Sequence, residues 1–121
     1  MIKLVALLSR KPGLSLEEFR TYYENHHAPL ICEINQWMSD YRRSYIDFAT
    51  VSGGMTAGAT SWQPDFDAIT EVWFKDRETF EQARAALTSP ANAARIAQDE
   101  GRFLDRERKR IFLVDELGNA G

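Results

Sequence analysis

Four short strand-like runs, separated by helical stretches, leave this chain few ways to fold. Ile2 to Leu8 is mostly apolar and stops at Lys11-Pro12-Gly13, a turn signal. Tyr41 to Val51 carries Tyr45, Ile46, Phe48 and Val51 on an extended pattern that ends at Gly53-Gly54. Ala68 to Phe74 and Ile111 to Val114 supply the third and fourth runs. A helical pattern opens at Ser15 after the first run. A second opens at Asp76 after the third, and an Ala-rich helical stretch runs from Ser89-Pro90 to about Phe103. The order is β-α-β-β-α-β with one extra helix before the last strand.

That order predicts an α+β fold of the ferredoxin-like, split βαβ kind, an antiparallel sheet with its helices on one face. The other face stays uncovered within one chain. Trp73 and Phe74 point to opposite faces, so large aromatics are expected on both. A homodimer packed sheet against sheet is the simplest cover. At 121 residues the chain is read as one domain, 1–121, with a long flexible loop over 52–66 and a frayed tail over 116–121. The loop is glycine-rich but matches no phosphate-binding spacing.

The first helix holds the most informative stretch. Ser15 and Glu18 have the spacing of a capping box. Leu16, Phe19, Tyr23, His26 or His27, Leu30, Ile31 and Ile34 recur at intervals of three and four, which makes one helical face. Pro29 interrupts it. Proline has no backbone donor and clashes with the carbonyl four residues back, at Asn25, so the helix is expected to kink or restart there. The two histidines of the chain, His26 and His27, lie immediately before this break. Histidine is the side chain whose unperturbed pKa lies nearest neutrality. Adjacent helical positions diverge by about 100°, so the two rings are not expected to share a pocket. Nor do they have the spacing of a metal-ligand pair, and no metal site is expected.

Composition narrows the function. A formal net charge of -3 argues against nucleic acid as a partner, and the basic residues Arg106, Arg108, Lys109 and Arg110 are interleaved with Asp105 and Glu107. No apolar run is long enough to cross a membrane or to serve as a secretion signal, so a cytoplasmic protein without a membrane partner is expected. The single cysteine, Cys32, is read as a buried structural thiol.

The pattern Phe19-(x)3-Tyr23-(x)3-His27-Ala28-Pro29-Leu30, in this element order, resembles the EthD family of the dimeric α+β barrel superfamily. Phe66-Asp67-Ala68-Ile69-Thr70-Glu71-Val72-Trp73-Phe74, followed by a capped helix with Phe80, is similar to the family's second characteristic segment. The resemblance covers nearly the whole chain, up to Leu113. It implies a ferredoxin-like monomer whose sheet pairs with a second copy, and a pocket for a small hydrophobic aromatic molecule. It also implies a cofactor-independent enzyme acting by acid–base chemistry on an aromatic or polyketide-like compound, of dehydratase (lyase), cyclase or monooxygenase type. The alternative is a non-catalytic binding or accessory protein of a degradation or biosynthetic pathway.

His27 is the residue the motif singles out. It is expected either to move a proton or to hold the broken helix by bonding a freed carbonyl. Tyr23 and Asp47 are its candidate catalytic companions. Asp47 and Glu71, both on otherwise apolar strands, either orient an imidazole or point outward. Tyr45, Phe48, Trp62, Trp73 and His26 complete the candidate substrate-binding set, although aromatic residues at such spacings also build ordinary cores. No nucleophile accompanies either histidine in a Ser-His-Asp pattern.

Overall fold

Along β1 (Ile2–Leu8) successive side chains face opposite ways, and this alternation sorts the whole sheet. The computed structural model describes residues 1–54 and 62–119. Its elements follow in the order β1, α1 (Leu16–Tyr22), a π turn (Tyr23–His27), α2 (Ala28–Ile34), β2 (Met38–Tyr45), β3 (Ala68–Phe74), α3 (Arg77–Thr88), α4 (Pro90–Glu100) and β4 (Arg110–Val114). All strand pairs are antiparallel in the spatial order β2-β3-β1-β4, with β1 and β3 central. This is the ferredoxin-like topology that the element order predicts.

Register assigns each face. Leu4 lies opposite Val72 and Leu113, and Ala6 lies opposite Thr70 and Ile111, all toward the helices. Lys3, Val5 and Leu7, with Trp73, Glu71 and Ile69, turn to the other face. On the helix side, Phe19, Tyr23, Ala28 and Phe103 pack on Ala6, Leu8 and Ala68. Phe74 and Ala83 close a second cluster with Val72. Phe103 is fully buried and meets Phe19 at 5.7 Å, Tyr23 at 5.5 Å and His27 at 4.9 Å between ring centroids. Aromatic pairs of this kind contribute about 1 kcal/mol each beyond burial.

The first helix starts as expected. Ser15 accepts from the Glu18 amide and Glu18 accepts from the Ser15 amide, both at 3.0 Å. The break at Pro29 takes a specific form. The helix widens into a π turn in which the Ala28 amide bonds the carbonyl of Tyr23, five residues back. The backbone stays right-handed helical through His27 and Ala28, and Pro29 falls in the first turn of α2, where its missing donor does no harm.

Other expectations shift. The second strand covers Met38–Tyr45 rather than Tyr41 to Val51, because Asp47 accepts from the Ala49 amide and starts a 3-10 turn at Phe48–Thr50. The third helix stops at Glu100, short of Phe103. Cys32 is exposed, since α2 turns Ala28 and Ile34 inward and Cys32 outward. Of the long loop over 52–66, residues 55–61 lie outside the described residues, as do 120 and 121 of the tail. Among the described residues, no helix is long and apolar enough to cross a membrane.

Candidate active site

The π turn aims His27 between the helices and the sheet. Its ring is buried, edge-on to Tyr23 at 5.2 Å, and its Nδ1 lies 2.6 Å from Asp99 Oδ2 on α4. The other oxygen of Asp99 accepts from the Tyr22 hydroxyl at 2.7 Å. The carboxylate therefore has a donor on each oxygen. A neutral His27 donates a hydrogen bond from Nδ1–H to Asp99, which leaves the Nε2 lone pair free. Among the described residues Nε2 has no hydrogen-bond partner, and none of their buried side-chain nitrogens or oxygens is left without one. Nε2 thus keeps access to open space.

His27 lines a cavity of about 420 Å³ between the helix-facing side of the sheet and α2, α3 and α4. Its walls are mostly apolar, formed by residues such as Leu4, Val72, Phe74, Ile31 and Leu87. Polar groups are few: besides Asn35, Arg84 and Thr88, three points stand out. His27 is one. Tyr23, Tyr41 and Thr70 form a second, a chain in which Tyr41 donates to Tyr23 at 3.2 Å and Tyr23 meets Thr70 Oγ1 at 2.5 Å. Glu100 and Lys109 form a third: Glu100 is buried and accepts from Lys109 Nζ at 2.7 Å and from Arg106 Nε at 3.3 Å. A mostly apolar cavity with a few convergent polar groups is the usual form of a small-molecule site.

Electrostatics favour a neutral imidazole. Burial pushes the His27 pKa below its ordinary value, against the opposing pull of the Asp99 carboxylate. Burial also raises the Tyr22 hydroxyl to about 12 and holds Tyr41 and Tyr23 well above the usual phenol range. All three phenols remain protonated donors at neutral pH. Beside the cavity, Glu24 is gripped by Arg43 through two bonds of 2.8 and 2.9 Å and by the Tyr45 hydroxyl at 2.5 Å. The Arg43 guanidinium holds its carboxyl down at about 2.

The structure brings together His27 and Tyr23 among the residues expected at the site. Tyr45 packs edge-on to Tyr23 at 6.1 Å but spends its hydroxyl on Glu24, outside the cavity wall. Asp47 is exposed at its 3-10 turn, with Phe48 beside it, and neither lines the cavity. Trp62 is exposed and donates to the Ser52 carbonyl. Trp73 stands on the opposite face of the sheet, where its indole donates to Glu116 and Glu71 pairs with Lys3 at 2.6 Å. His26 stacks on Tyr22 at 4.7 Å, away from the cavity. The carboxylate that orients the imidazole is Asp99, which the sequence reading passed over. One signal for it exists: Asn92, Ile96, Asp99 and Phe103 recur at helical spacing, so Asp99 shares a half-buried face with apolar neighbours. Among the described residues, no three His, Cys, Asp or Glu side chains converge to hold a metal ion.

Fold and site together define a ferredoxin-like α+β protein with an apolar cavity and, on its wall, a histidine paired with a carboxylate behind it. The EthD domain model matches residues 11–107, and the chain belongs to the EthD family. Similar solved structures include an ethyl tert-butyl ether D (EthD) family protein from Bacillus halodurans, 24% identical, covering 97% of this chain and 99% of its own, with a TM-score of 0.62. HapK from Hahella chejuensis is 11% identical, covers 100% and 97%, and has a TM-score of 0.62. A mutant of SnoaB, a cofactor-independent oxygenase from Streptomyces nogalater, is 10% identical, covers 98% and 94%, and has a TM-score of 0.57. No curated protein matches the chain.

Proposed function

We propose that this protein is a cofactor-independent enzyme that binds an aromatic or polyketide-like small molecule in the cavity and removes an acidic proton from it through His27 Nε2. The observation that carries this reading is His27, paired with Asp99, on the wall of an apolar cavity of about 420 Å³. A phenol, or a carbon beside a carbonyl, gives its proton to Nε2, and the electron pair stays on the substrate as a phenolate or enolate. Asp99 stabilises the imidazolium that forms. General-base assistance of this kind contributes about 10²–10⁴-fold. Dehydration, cyclisation and oxygenation of such substrates can all begin with this transfer. The resemblance in fold to a cofactor-independent oxygenase supports the same class of chemistry.

The site is proposed to work in a homodimer. The sheet face opposite the helices presents Val5, Leu7, Ile69 and Trp73, with the exposed Phe112 of β4 beside Val5. A second copy of the sheet buries that apolar surface.

The test incubates purified protein, His27→Ala and Asp99→Asn with hydroxylated polycyclic ketones and phenols and follows their consumption. Turnover by the wild type that falls about 10²-fold or more in His27→Ala is expected. Equal turnover by both sinks the role of His27. Tight binding without turnover in any protein would favour a carrier or accessory role.

A further inference from the structure

We propose that the Thr70 hydroxyl is the hydrogen-bond donor that receives a carbonyl or phenolate oxygen of the bound molecule. The inference deepens the reading of the cavity as an aromatic-ligand site and rests on it. It starts from a count of hydrogens. Tyr41, Tyr23 and Thr70 bring three hydroxyl hydrogens to a chain with two bonds between them. One hydrogen is left over. Tyr41 donates to Tyr23; between Tyr23 and Thr70 either hydroxyl has the geometry to donate, and the more acidic phenol is the better donor while the aliphatic hydroxyl is the better acceptor, so the Thr70 hydrogen is the one not spent in the chain.

Among the described residues, the Thr70 hydroxyl donates to no other group. Thr70 is a buried side chain on the helix-facing side of central strand β3, and it forms part of the cavity wall. A donor in such a place gains most from an acceptor that enters with a ligand, because water competes poorly there and unmet polar groups are costly. The two preceding hydroxyls polarise it further, since hydrogen bonds in a chain strengthen one another. Tyr23 links the two ends of the site: its ring meets the His27 imidazole and its hydroxyl meets Thr70. A ligand whose acidic proton faces Nε2 can then rest its oxygen on Thr70 Oγ1, which is where negative charge gathers when the proton leaves.

The test uses 1-tetralone, which carries a carbonyl, and tetralin, the same bicycle without one. Calorimetry compares their affinities for the wild type, Thr70→Val, Thr70→Ser and Tyr41→Phe. The wild type should prefer 1-tetralone by about tenfold or more. Thr70→Val should abolish the preference and Thr70→Ser should keep it. In the wild type alone, which needs no variant to fold, the infrared carbonyl band of bound 1-tetralone should lie below its position in hexane. An unshifted band overturns the inference, as does a preference that survives in Thr70→Val. A preference lost in Tyr41→Phe but kept in Thr70→Val would put the free donor on Tyr41 and equally overturns it. These results leave the cavity reading intact. Failure of the wild type to bind either compound overturns both.

Discussion

Burial sets the protonation of His27, and protonation sets both its chemistry and its share of stability. Its folded pKa lies below the ordinary value of 6.5, with desolvation the dominant cause. The charged groups that face it are Asp99 and Glu100 from α4 and Lys109 from the segment before β4. Below pH 6.5 the unfolded chain takes up a proton that the folded chain resists, so unfolding gains ground as pH falls through this window. Urea denaturation of the wild type should show stability lost between pH 7.5 and 5, and His27→Leu should show a shallower loss. An identical slope in both proteins would refute the assignment. The Asp99→Asn change acts on the tautomer. With the carboxylate gone, Nδ1 has a weaker partner, and the ¹⁵N shifts of the ring should move away from the Nδ1-protonated pattern. His27 and Tyr23 were legible in the sequence because helical periodicity and the proline break isolate them. Asp99 was not, because its pairing joins residues 72 positions apart and depends on how α4 lies against the π turn.

Elements show the same division between local and distant causes. The capping box of α1 is complete in four consecutive residues, and Ser15→Ala should cost about 1 kcal/mol in thermal or chemical denaturation. The π turn has a tertiary brace as well as a proline. Glu24, inside the turn, is clamped by Arg43 and Tyr45 from β2. Hydrogen bonds to charged groups contribute about 1.5–3 kcal/mol when well made, less where water reaches them. Arg43→Ala should therefore lower stability and also weaken ligand binding, because the turn carries His27. Lowered stability with unchanged ligand affinity would show that the brace does not set the site. The strand limits were legible where periodicity was clean, as in β1 and β3. They were misread at β2, whose end is decided by a single side chain, Asp47, turning back onto the Ala49 amide.

At the scale of the molecule, one sheet has two unlike faces. The helix side holds the aromatic core and the cavity; the other mixes Val5, Leu7 and Ile69 with the Lys3–Glu71 pair. Edge strand β4 leaves Ile111, Phe112 and Leu113 at 52%, 44% and 39% exposure, three consecutive large apolar residues. Light scattering at micromolar concentration should give a dimer mass for the wild type. Phe112→Lys, on the outer face, should shift it toward monomer while leaving helicity unchanged. A monomer mass for the wild type would refute the sheet-to-sheet arrangement. The topology could be inferred from element order alone, since short antiparallel strands and crossover helices admit few arrangements. The cavity could not, because it is the space left between side chains whose packing no periodicity describes.

The π turn also bears on how this chain tolerates insertions and deletions. Such a turn holds one residue more than the α-helix it interrupts. Deleting one of its solvent-facing members, such as Asn25, would let the helix close into regular α geometry with α1 and α2 still in phase, because the wide turn absorbs the extra residue. Tyr22 and Tyr23 would then keep their places beside Asp99 and Thr70. The same deletion inside α1, which has no such slack, would rotate everything upstream of it by about 100°, so this turn is where the helix can lose a residue without losing its phase.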